Sequence, residues 1–284
     1  IIDEFRIYSS VLNSTEVGYL YNNTTASIPT LTLGAYYKLD GNATDETGNY
    51  NGTEQNVTYL DEQAGSYYNG TPTNVNFLGM AFQPDLVWVK RRSNIEDNAV
   101  FDSVRGVQKQ ITTNKTNAES TKTNALSSFD SNGFTTGENN ALNTNNETYV
   151  AWCWKATDTT TTIAAGTVGN TIASDVRANV DAGFSIVKWT GNGTAGATVG
   201  HGLSSAPDMI ITKNISADRT SDAWAVYNSI GGATKQLYLE KTSAYGSSIT
   251  VYNNTEPTTD VFSIGDWSGI NYNGDNFIAY CFHS

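Results

Sequence analysis

The sequence predicts an all-β protein built from tandem antiparallel β-sandwich domains of jelly-roll-like form, with one short helix near the N-terminus. Three observations support this prediction. Apolar residues lie in short bursts between turn residues, only 15% of the 284 residues are charged, and one strand-rich stretch occurs twice. Thr and the aromatic residues favour strands, whereas Asn, Gly and Ser favour turns.

The repeat is carried by three pairs of segments. The paired segments are 81–90 with 204–213, 101–106 with 227–232, and 149–154 with 277–282. In the first pair, both members contain Pro-Asp, then a short apolar run, then Lys. The offset between the copies stays between 123 and 128 residues, so their loops differ little in length. We expect two β-sandwich copies, at residues 65–156 and 182–284.

The rest of the chain is predicted to precede and join these copies. It falls into residues 1–26, residues 27–64 and the linker 157–181. The linker opens with a Thr-rich run, which indicates an extended connector or an added edge strand. Residues 1–8 alternate like a strand, and Ser14 is a candidate N-cap for the one short helix.

Each copy closes with a strand that carries one of the two cysteines, Cys153 and Cys281. Both faces of this strand are apolar, which predicts burial on both sides. We therefore expect each closing strand to be the centre of its own, separate sandwich core. A buried free cysteine packs as a small hydrophobic residue, so we expect two separate thiols and no disulfide.

Composition argues against nucleic acids and membranes as partners. The net charge is −12, whereas phosphate binding needs clustered Lys and Arg. The densest basic cluster, residues 90–92, is expected to be a solvated strand end, with an anion-binding patch as the alternative. No apolar stretch approaches the roughly 20 residues of a membrane span, so no membrane insertion is expected.

The sequence lacks the usual marks of an enzyme. Its two histidines, His201 and His283, are few for a metal centre that draws on several such ligands, and no nucleophile-elbow pattern is present. Neighbouring carboxylates occur at residues 61–62 and 96–97. Neighbours on a strand point to opposite faces, which suits solvated turn charges better than the paired acids of a glycoside hydrolase. We predict a protein without catalytic residues or a required cofactor.

One loop is a candidate calcium site. Residues 40–48 offer oxygen ligands at close spacing, from Asp40, Asn42 and Asp45. Ca²⁺ takes six to eight oxygen ligands, which this loop could begin to supply. The alternative is an ordinary Asx-rich turn.

A second turn is a candidate glycan site, because an aromatic platform with neighbouring polar groups can hold and orient a sugar. The residues of this site are Trp267, Tyr272, Asp266 and Asn271. The alternative is that the aromatic side chains of this loop fold over the edge of the sandwich.

Two segments near the N-terminus carry a family resemblance. Residues 2–8, with Leu12 and Thr15 after them, match the closing strand of a domain. Residues 35–48 match the opening strands. They resemble laminin-G/concanavalin-like jelly-roll domains. The resemblance implies that residues 1–26 are the C-terminal end of one such module and that residues 27–64 form a strand-rich connector resembling the start of a second.

The copies themselves carry a second resemblance. The residues concerned are 82–90, 102–106, 129–134 and 149–154, with counterparts in the second copy. They are similar to a module of unknown function in tail-fibre-like structural proteins of marine bacteriophages, which implies a virion setting. The second copy has Gly231 where the first has Arg105, so no role of that guanidinium is expected to be shared.

These observations favour a non-enzymatic structural protein of the virion surface, such as a tail fibre or similar appendage, that contacts host-surface glycans. Its expected partners are other virion proteins and further copies of itself in a homo-oligomer, with a trimer as one symmetry open to it. The alternatives are a secreted or cell-surface glycan-binding adhesin and a polysaccharide depolymerase. The expected location is the virion surface or the extracellular space.

Overall fold

The chain divides into two compact units. The first comprises residues 1–63 with 79–81, and the second residues 64–78 with 82–284. This computed structural model describes residues 5–8, 33–37, 75–216 and 222–284. In the first unit, β1 (Phe5–Tyr8) pairs antiparallel with β2 (Leu33–Tyr37), and both lie in segments predicted as strands. The predicted helix after Ser14 lies outside the described residues.

The first copy folds into antiparallel strands, as predicted. They are β3 (Val75–Leu78), β4 (Leu86–Arg91), β5 (Ala99–Asp102), β6 (Lys109–Gln110), β7 (Ser120–Thr121), β8 (Leu126–Asp130), β9 (Gly133–Thr136) and β10 (Tyr149–Trp154). Among the described residues these strands form a sheet of order β10-β4-β5, a second sheet of order β3-β9-β8, and the pair β6-β7.

The second copy is built around a larger sheet. Its elements are β11 (Thr161–Ile163), β12 (Ser174–Asn179), β13 (Phe184–Thr190), β14 (Ala197–Gly200), β15 (Met209–Asn214), β16 (Ala225–Asn228), β17 (Lys235–Tyr238), β18 (Gly246–Ser247), β19 (Val261–Ile264), the helical turn α1 (Ser268–Asn271) and β20 (Asn276–Phe282). Eight strands pair in the order β11-β12-β13-β20-β15-β16-β17-β18, and β14 pairs with β19. The predicted linker therefore supplies β11 and β12 to this sheet. Within the described ranges, no helix is long and apolar enough to cross a membrane.

The Pro-Asp motif explains how each copy closes. In the first copy, the backbone N–H of Asp85 donates to the carbonyl oxygen of Trp154 at 2.8 Å. Its carboxylate accepts the Ser103 hydroxyl at 2.7 Å and the Ala156 N–H at 2.8 Å. One buried carboxylate thus joins the start of β4, the end of β5 and the end of β10.

The same hydrogen bonds recur in the second copy around Asp208. Its N–H donates to the carbonyl oxygen of Phe282 at 2.7 Å. Its carboxylate accepts the Ser229 hydroxyl at 3.2 Å and the Ser284 N–H at 2.9 Å. The repeat read from the sequence is therefore a structural repeat, with equivalent residues in equivalent contacts.

Strand β20 is buried on both faces, as predicted. One face contributes Phe277, Ala279 and Cys281 to an apolar cluster within the second copy, where they pack with Val199 of β14 and Phe262 of β19. Large apolar side chains on both faces exclude water from this strand and fix its register, because a shift of one residue would exchange the faces.

The other face of the eight-stranded sheet meets the first copy in what we call the shared cluster. Its buried members are Leu86, Val100, Ile111 and Ala156 of the first copy and Phe184, Ile186, Ile211, Trp224, Val226, Ile278 and Tyr280 of the second. The prediction of two separate cores is therefore wrong at this face, since sheets of the two copies pack against one another.

Strand β10 differs from β20, and the prediction that it is buried on both faces is wrong. Trp152 is 47% exposed and Ala151 is also exposed. The physical reason lies in the sheet order. Strand β20 lies between β13 and β15, whereas in the part of the chain that the structure describes β10 pairs with β4 alone.

The two cysteines are free, as expected. Cys281 is fully buried in the cluster of the second copy. Cys153 is partly buried and pairs with Val87 of β4. The neighbouring pairs, Trp152 with Trp88 and Trp154 with Leu86, lie on the other face of the sheet. Burial raises the pKa of both thiols to about 12, so both are protonated at neutral pH and unsuited to nucleophilic chemistry.

Candidate functional site

A polar cleft of about 460 Å³ opens in the first copy. Its walls come from residues 96–97 before β5, the stretch 110–122 around β6 and β7, and residues 139–141 after β9. Amide, hydroxyl and charged groups line it, and its only apolar side chains are those of Ala118 and Ala141. Its volume is within the range of small-molecule sites, but its lining is far more polar than is usual for them.

Two residues that line the cleft differ in size and polarity from their counterparts in the second copy. Thr112 and Asn139 line it, and their counterparts in the second copy are Tyr238 and Trp267, at offsets of 126 and 128 residues. In the first copy, the carbonyl oxygen of Asn139 accepts the N–H of Leu142 at 2.9 Å. In the second copy, the carbonyl oxygen of Trp267 accepts the N–H of Ile270 at 3.0 Å. The same hydrogen bond at equivalent positions confirms the correspondence. The rings of Tyr238 and Trp267 lie 6.1 Å apart, edge to face. The second copy thus has an aromatic pair at the two positions where the first copy has Thr112 and Asn139.

Ion pairs fix most of the charges around the cleft. The Asp97 carboxylate accepts hydrogen bonds from the Lys115 ammonium and from the Asn114 amide, the latter at 2.8 Å. Partial burial would raise the pKa of Asp97, but these hydrogen bonds outweigh burial and the pKa lies below its ordinary value. Glu119 lies 3.2 Å from the guanidinium of Arg105. These carboxylates are therefore acceptors at neutral pH.

Gln110 is the one wall residue whose side chain has an unused buried atom. It is 8% exposed, and its Oε1 atom accepts no hydrogen bond from any residue that the structure describes. A buried acceptor without a donor costs about 1–3 kcal/mol.

The predicted glycan residues lie together at α1, but not all of them are accessible. Asp266 is exposed and Tyr272 is 47% exposed. Trp267 is half-buried, because it packs against both the cluster of the second copy and the ring of Tyr238. For Trp267 the alternative interpretation, a loop aromatic folded over the sandwich, fits the structure better.

Asn271 requires a correction, because it is fully buried and its amide holds the loops together. Its Nδ2 atom donates to the carbonyl oxygens of Thr194 and Gly265, each at 3.0 Å. Its Oδ1 atom accepts the N–H of Asn192 at 2.9 Å. No polar atom of this side chain is left for a sugar, so Asn271 is a structural residue and we remove it from the candidate site.

Only part of the other sequence-based sites lies among the described residues. The candidate calcium ligands Asp40, Asn42 and Asp45 lie outside the described residues. Within the described ranges, no group of three or more His, Cys, Asp or Glu side chains could hold a metal ion. Of the neighbouring carboxylates, only Glu96 and Asp97 are described, and the lowered pKa of Asp97 makes it a poor proton donor.

His201 is a core residue. It is fully buried, its Nδ1 atom accepts the N–H of Leu203 at 3.2 Å, and its Nε2 atom lies 3.1 Å from the carbonyl oxygen of Thr258. This geometry uses both ring nitrogens of a neutral imidazole, with the proton on Nε2. Burial lowers the pKa of His201 below its ordinary value.

We expect His201 to make folding stability fall on mild acidification. The neutral ring is favoured in the folded chain, so its contribution is complete above the unfolded pKa of about 6.5 and is lost as the pH falls below it, by up to about 1.4 kcal/mol per pH unit. Urea unfolding at several pH values between neutral and mildly acidic measures this slope. The slope should vanish in His201→Asn and persist in the control His283→Asn. Equal slopes in both variants would contradict the assignment.

The cleft was not predicted from the sequence, although a signal for it was present. Thr112 and Asn139 lie outside the paired segments that define the repeat, and their counterparts Tyr238 and Trp267 are larger and aromatic. This difference between the copies is the available signal that the first copy has more open space here.

Comparison with known proteins identifies a family. The family model described as a domain of unknown function (DUF7483) matches residues 61–284. No curated protein and no solved structure matches the chain. The matched range spans both copies, in keeping with the shared cluster that joins them. The chain therefore belongs to the DUF7483 family.

Proposed function

We propose that this protein is a non-enzymatic structural module of a virion-surface appendage, such as a tail fibre, and that it contacts host-surface glycans. The observation that carries the proposal is the shared cluster, which makes one body of two repeated sandwiches. Interfaces between domains that are small and polar allow relative motion, whereas large apolar ones resist it. Two sandwiches joined by an apolar interface suit a spacer that must keep its shape.

Polar contacts across the same interface add to this rigidity. The Tyr280 hydroxyl donates to the buried Asp102 carboxylate at 2.8 Å. The Arg177 guanidinium lies 2.9 Å from Asp85, the carboxylate that closes the first copy. These contacts favour one arrangement of the two copies, which is what a rigid spacer requires.

The proposed setting is extracellular or on the virion surface, with other virion proteins and further copies of this chain as partners. The resemblance to a module of phage tail-fibre-like proteins supports this setting, and so does the acidic, Asn- and Thr-rich composition. A homo-oligomer, for example a trimer, would match the symmetry common among such appendages.

Immunogold electron microscopy of purified virus particles tests the proposal. An antibody raised against the recombinant protein is expected to label a surface appendage at regular positions. Labelling confined to the envelope of the host cell would contradict the virion assignment and favour a cell-surface adhesin. Release of reducing ends from host-surface polysaccharide by the purified protein would contradict the non-enzymatic assignment and favour a depolymerase.

A further inference from the structure

We propose that the outer edge of β10 is a strand-binding surface and that its partner is the segment 62–68 of the same chain. This segment lies outside the described residues, and it is identified from the open edge and from the repeat. The pairing would complete the sheet of the first copy. It goes beyond the proposed function and does not depend on the virion setting.

Strand β10 presents an open backbone edge, whereas its counterpart β20 does not. Strand β20 pairs with β15 on one side and with β13 on the other. Strand β10 pairs with β4, the counterpart of β15, and with no other strand that the structure describes. The N–H and C=O groups along an open edge form a template for a further strand. The first copy thus has a place for a counterpart of β13.

Strand pairing in the two copies indicates where this counterpart lies in the sequence. Strand β3 pairs with β9 in the same register in which β14 pairs with β19. Val75 and Ala197 begin the equivalent strands β3 and β14, so the offset between the copies is 122 residues here. Moved by this offset, β13 falls on residues 62–68. The family match begins at residue 61, immediately before this segment.

A sequence feature that is independent of the pairing gives the same placement. Asn-Gly-Thr occurs at residues 192–194, just after β13, and again at residues 69–71. The two occurrences are 123 residues apart, which agrees within one residue with the offset of β3 and β14. The proposed segment and β13 therefore end at equivalent points of the repeat.

Aromatic side chains at the end of the segment match those of the second copy. Trp189 of β13 pairs with Phe277 of β20, and their rings stack at 5.4 Å. At the equivalent positions the first copy has Tyr67 and Tyr149. Aromatic pairs across neighbouring strands stabilise a sheet. The placement therefore keeps an aromatic pair where the second copy has one.

A strand from another chain is the alternative partner for this edge. The six residues 69–74 separate the proposed segment from β3, which belongs to the same copy. In the second copy, six residues, 191–196, connect β13 to β14 within one chain. The short connection therefore favours pairing within the chain. A covered edge cannot pair with further copies, so contacts in a homo-oligomer would have to form elsewhere.

Disulfide crosslinking in the full chain tests this pairing. The expected register places Ser66 opposite Val150, equivalent to Lys188 opposite Ile278 in the second copy. Hydrogen bonds at Gly183 and Gly191 make Lys188 and Ile278 a pair without mutual hydrogen bonds, and side chains are closest in such pairs. The test variant is Ser66→Cys with Val150→Cys. The matched control is Glu62→Cys with Val150→Cys, which is four residues out of register.

Mild oxidation and peptide mapping by mass spectrometry then identify the linked residues. A disulfide between positions 66 and 150 is expected within monomeric chains. None is expected between positions 62 and 150, because about 13 Å along a strand is beyond the reach of a disulfide. Circular dichroism shows whether each variant is folded.

Each remaining outcome overturns the proposal. A disulfide between positions 66 and 150 that links two chains would show that the strand comes from another copy. Equal yields in the test and control variants, or no disulfide in the folded test variant, would show that the segment does not pair with β10 in this register. Immunogold labelling of the virion is independent of these results.

Discussion

Replacement of Trp224 by alanine is expected to lower the free energy of unfolding by about 3–5 kcal/mol. Trp224 is fully buried in the shared cluster. Its indole Nε1–H also reaches into the first copy, 3.0 Å from the carbonyl oxygen of Thr112 and 3.2 Å from that of Lys115. The substitution therefore opens a cavity between the copies and leaves two carbonyl groups without their donor.

Trp152→Ala is the matched control for this prediction. Trp152 is the same residue type but is 47% exposed, and its ring meets Trp88 edge to face at 6.1 Å. We expect a loss of about 1 kcal/mol or less, as for a partly exposed side chain away from a core. Urea unfolding followed by far-ultraviolet circular dichroism compares the two variants. Similar losses in both would show that the interface between the copies contributes little.

Removal of the Asp102 carboxylate is the second change with a large expected effect. Asp102 is fully buried and pairs with Arg105, whose side chain is 1% exposed. Burial alone would lower the pKa of Arg105, but the charge of Asp102 outweighs it and the pKa lies above its ordinary value. Asp102→Ala leaves this guanidinium charged and buried with Glu119 as its remaining carboxylate partner, and loss of the closer, fully buried partner costs up to about 3–5 kcal/mol. The Tyr280 hydroxyl loses its acceptor as well.

Two further variants distinguish a buried charge from a general loss of contacts. Arg105→Met combined with Asp102→Ala should recover part of the loss, because replacing both members of a buried ion pair by apolar groups is often neutral. Asp158→Ala breaks an exposed pair with Lys155 and should leave the midpoint of thermal unfolding nearly unchanged, because exposed ion pairs contribute little to stability. Thermal unfolding measures all three. No recovery in the double variant would contradict the electrostatic explanation.

The fold was predictable where local pattern determines structure. The apolar alternation of residues 277–282 predicted a strand buried on both faces, and β20 is such a strand. The nearly identical pattern at residues 149–154 gave the same prediction, which was wrong for β10. Alternation specifies which faces of a strand are apolar, but not which neighbouring strands cover them, and that depends on the order of strands in the sheet.

The shared cluster was not predicted for the same reason. Ile278 and Tyr280 were recognised as one apolar face, but nothing in their spacing indicates that a second copy, rather than another sheet of the same copy, packs on it. Arg105 gives a related example. Its replacement by Gly231 in the second copy made a role for the guanidinium in both copies doubtful, whereas Arg105 lies at the junction of the copies, 3.5 Å from the Tyr280 hydroxyl.

The candidate site shows how far turn residues can be interpreted from sequence. Asn271 precedes Tyr272 in a stretch that the sequence marks as a turn, which is equally compatible with a ligand contact and with a side chain that binds neighbouring backbone. The structure shows the second arrangement. The cleft is lined by residues from three separate stretches, 96–97, 110–122 and 139–141, which come together only after folding, so the local sequence of any one stretch does not reveal it.

The central claim is that the two copies unfold as one cooperative body, and hydrogen exchange in a Gly133→Ala variant tests it most directly. Gly133 lies in the β8–β9 hairpin of the first copy, where an added Cβ would be 1.9 Å from the carbonyl oxygen of Phe77. The substitution should therefore destabilise the first copy without touching the second. Mass spectrometry then follows exchange in the peptide 277–282, which forms most of β20.

If the shared cluster couples the copies, protection of β20 should fall by the same free energy as protection of β4 and β5 in the first copy. Unchanged protection of β20, with exchange accelerated only in the first copy, would contradict the claim that the copies form one body.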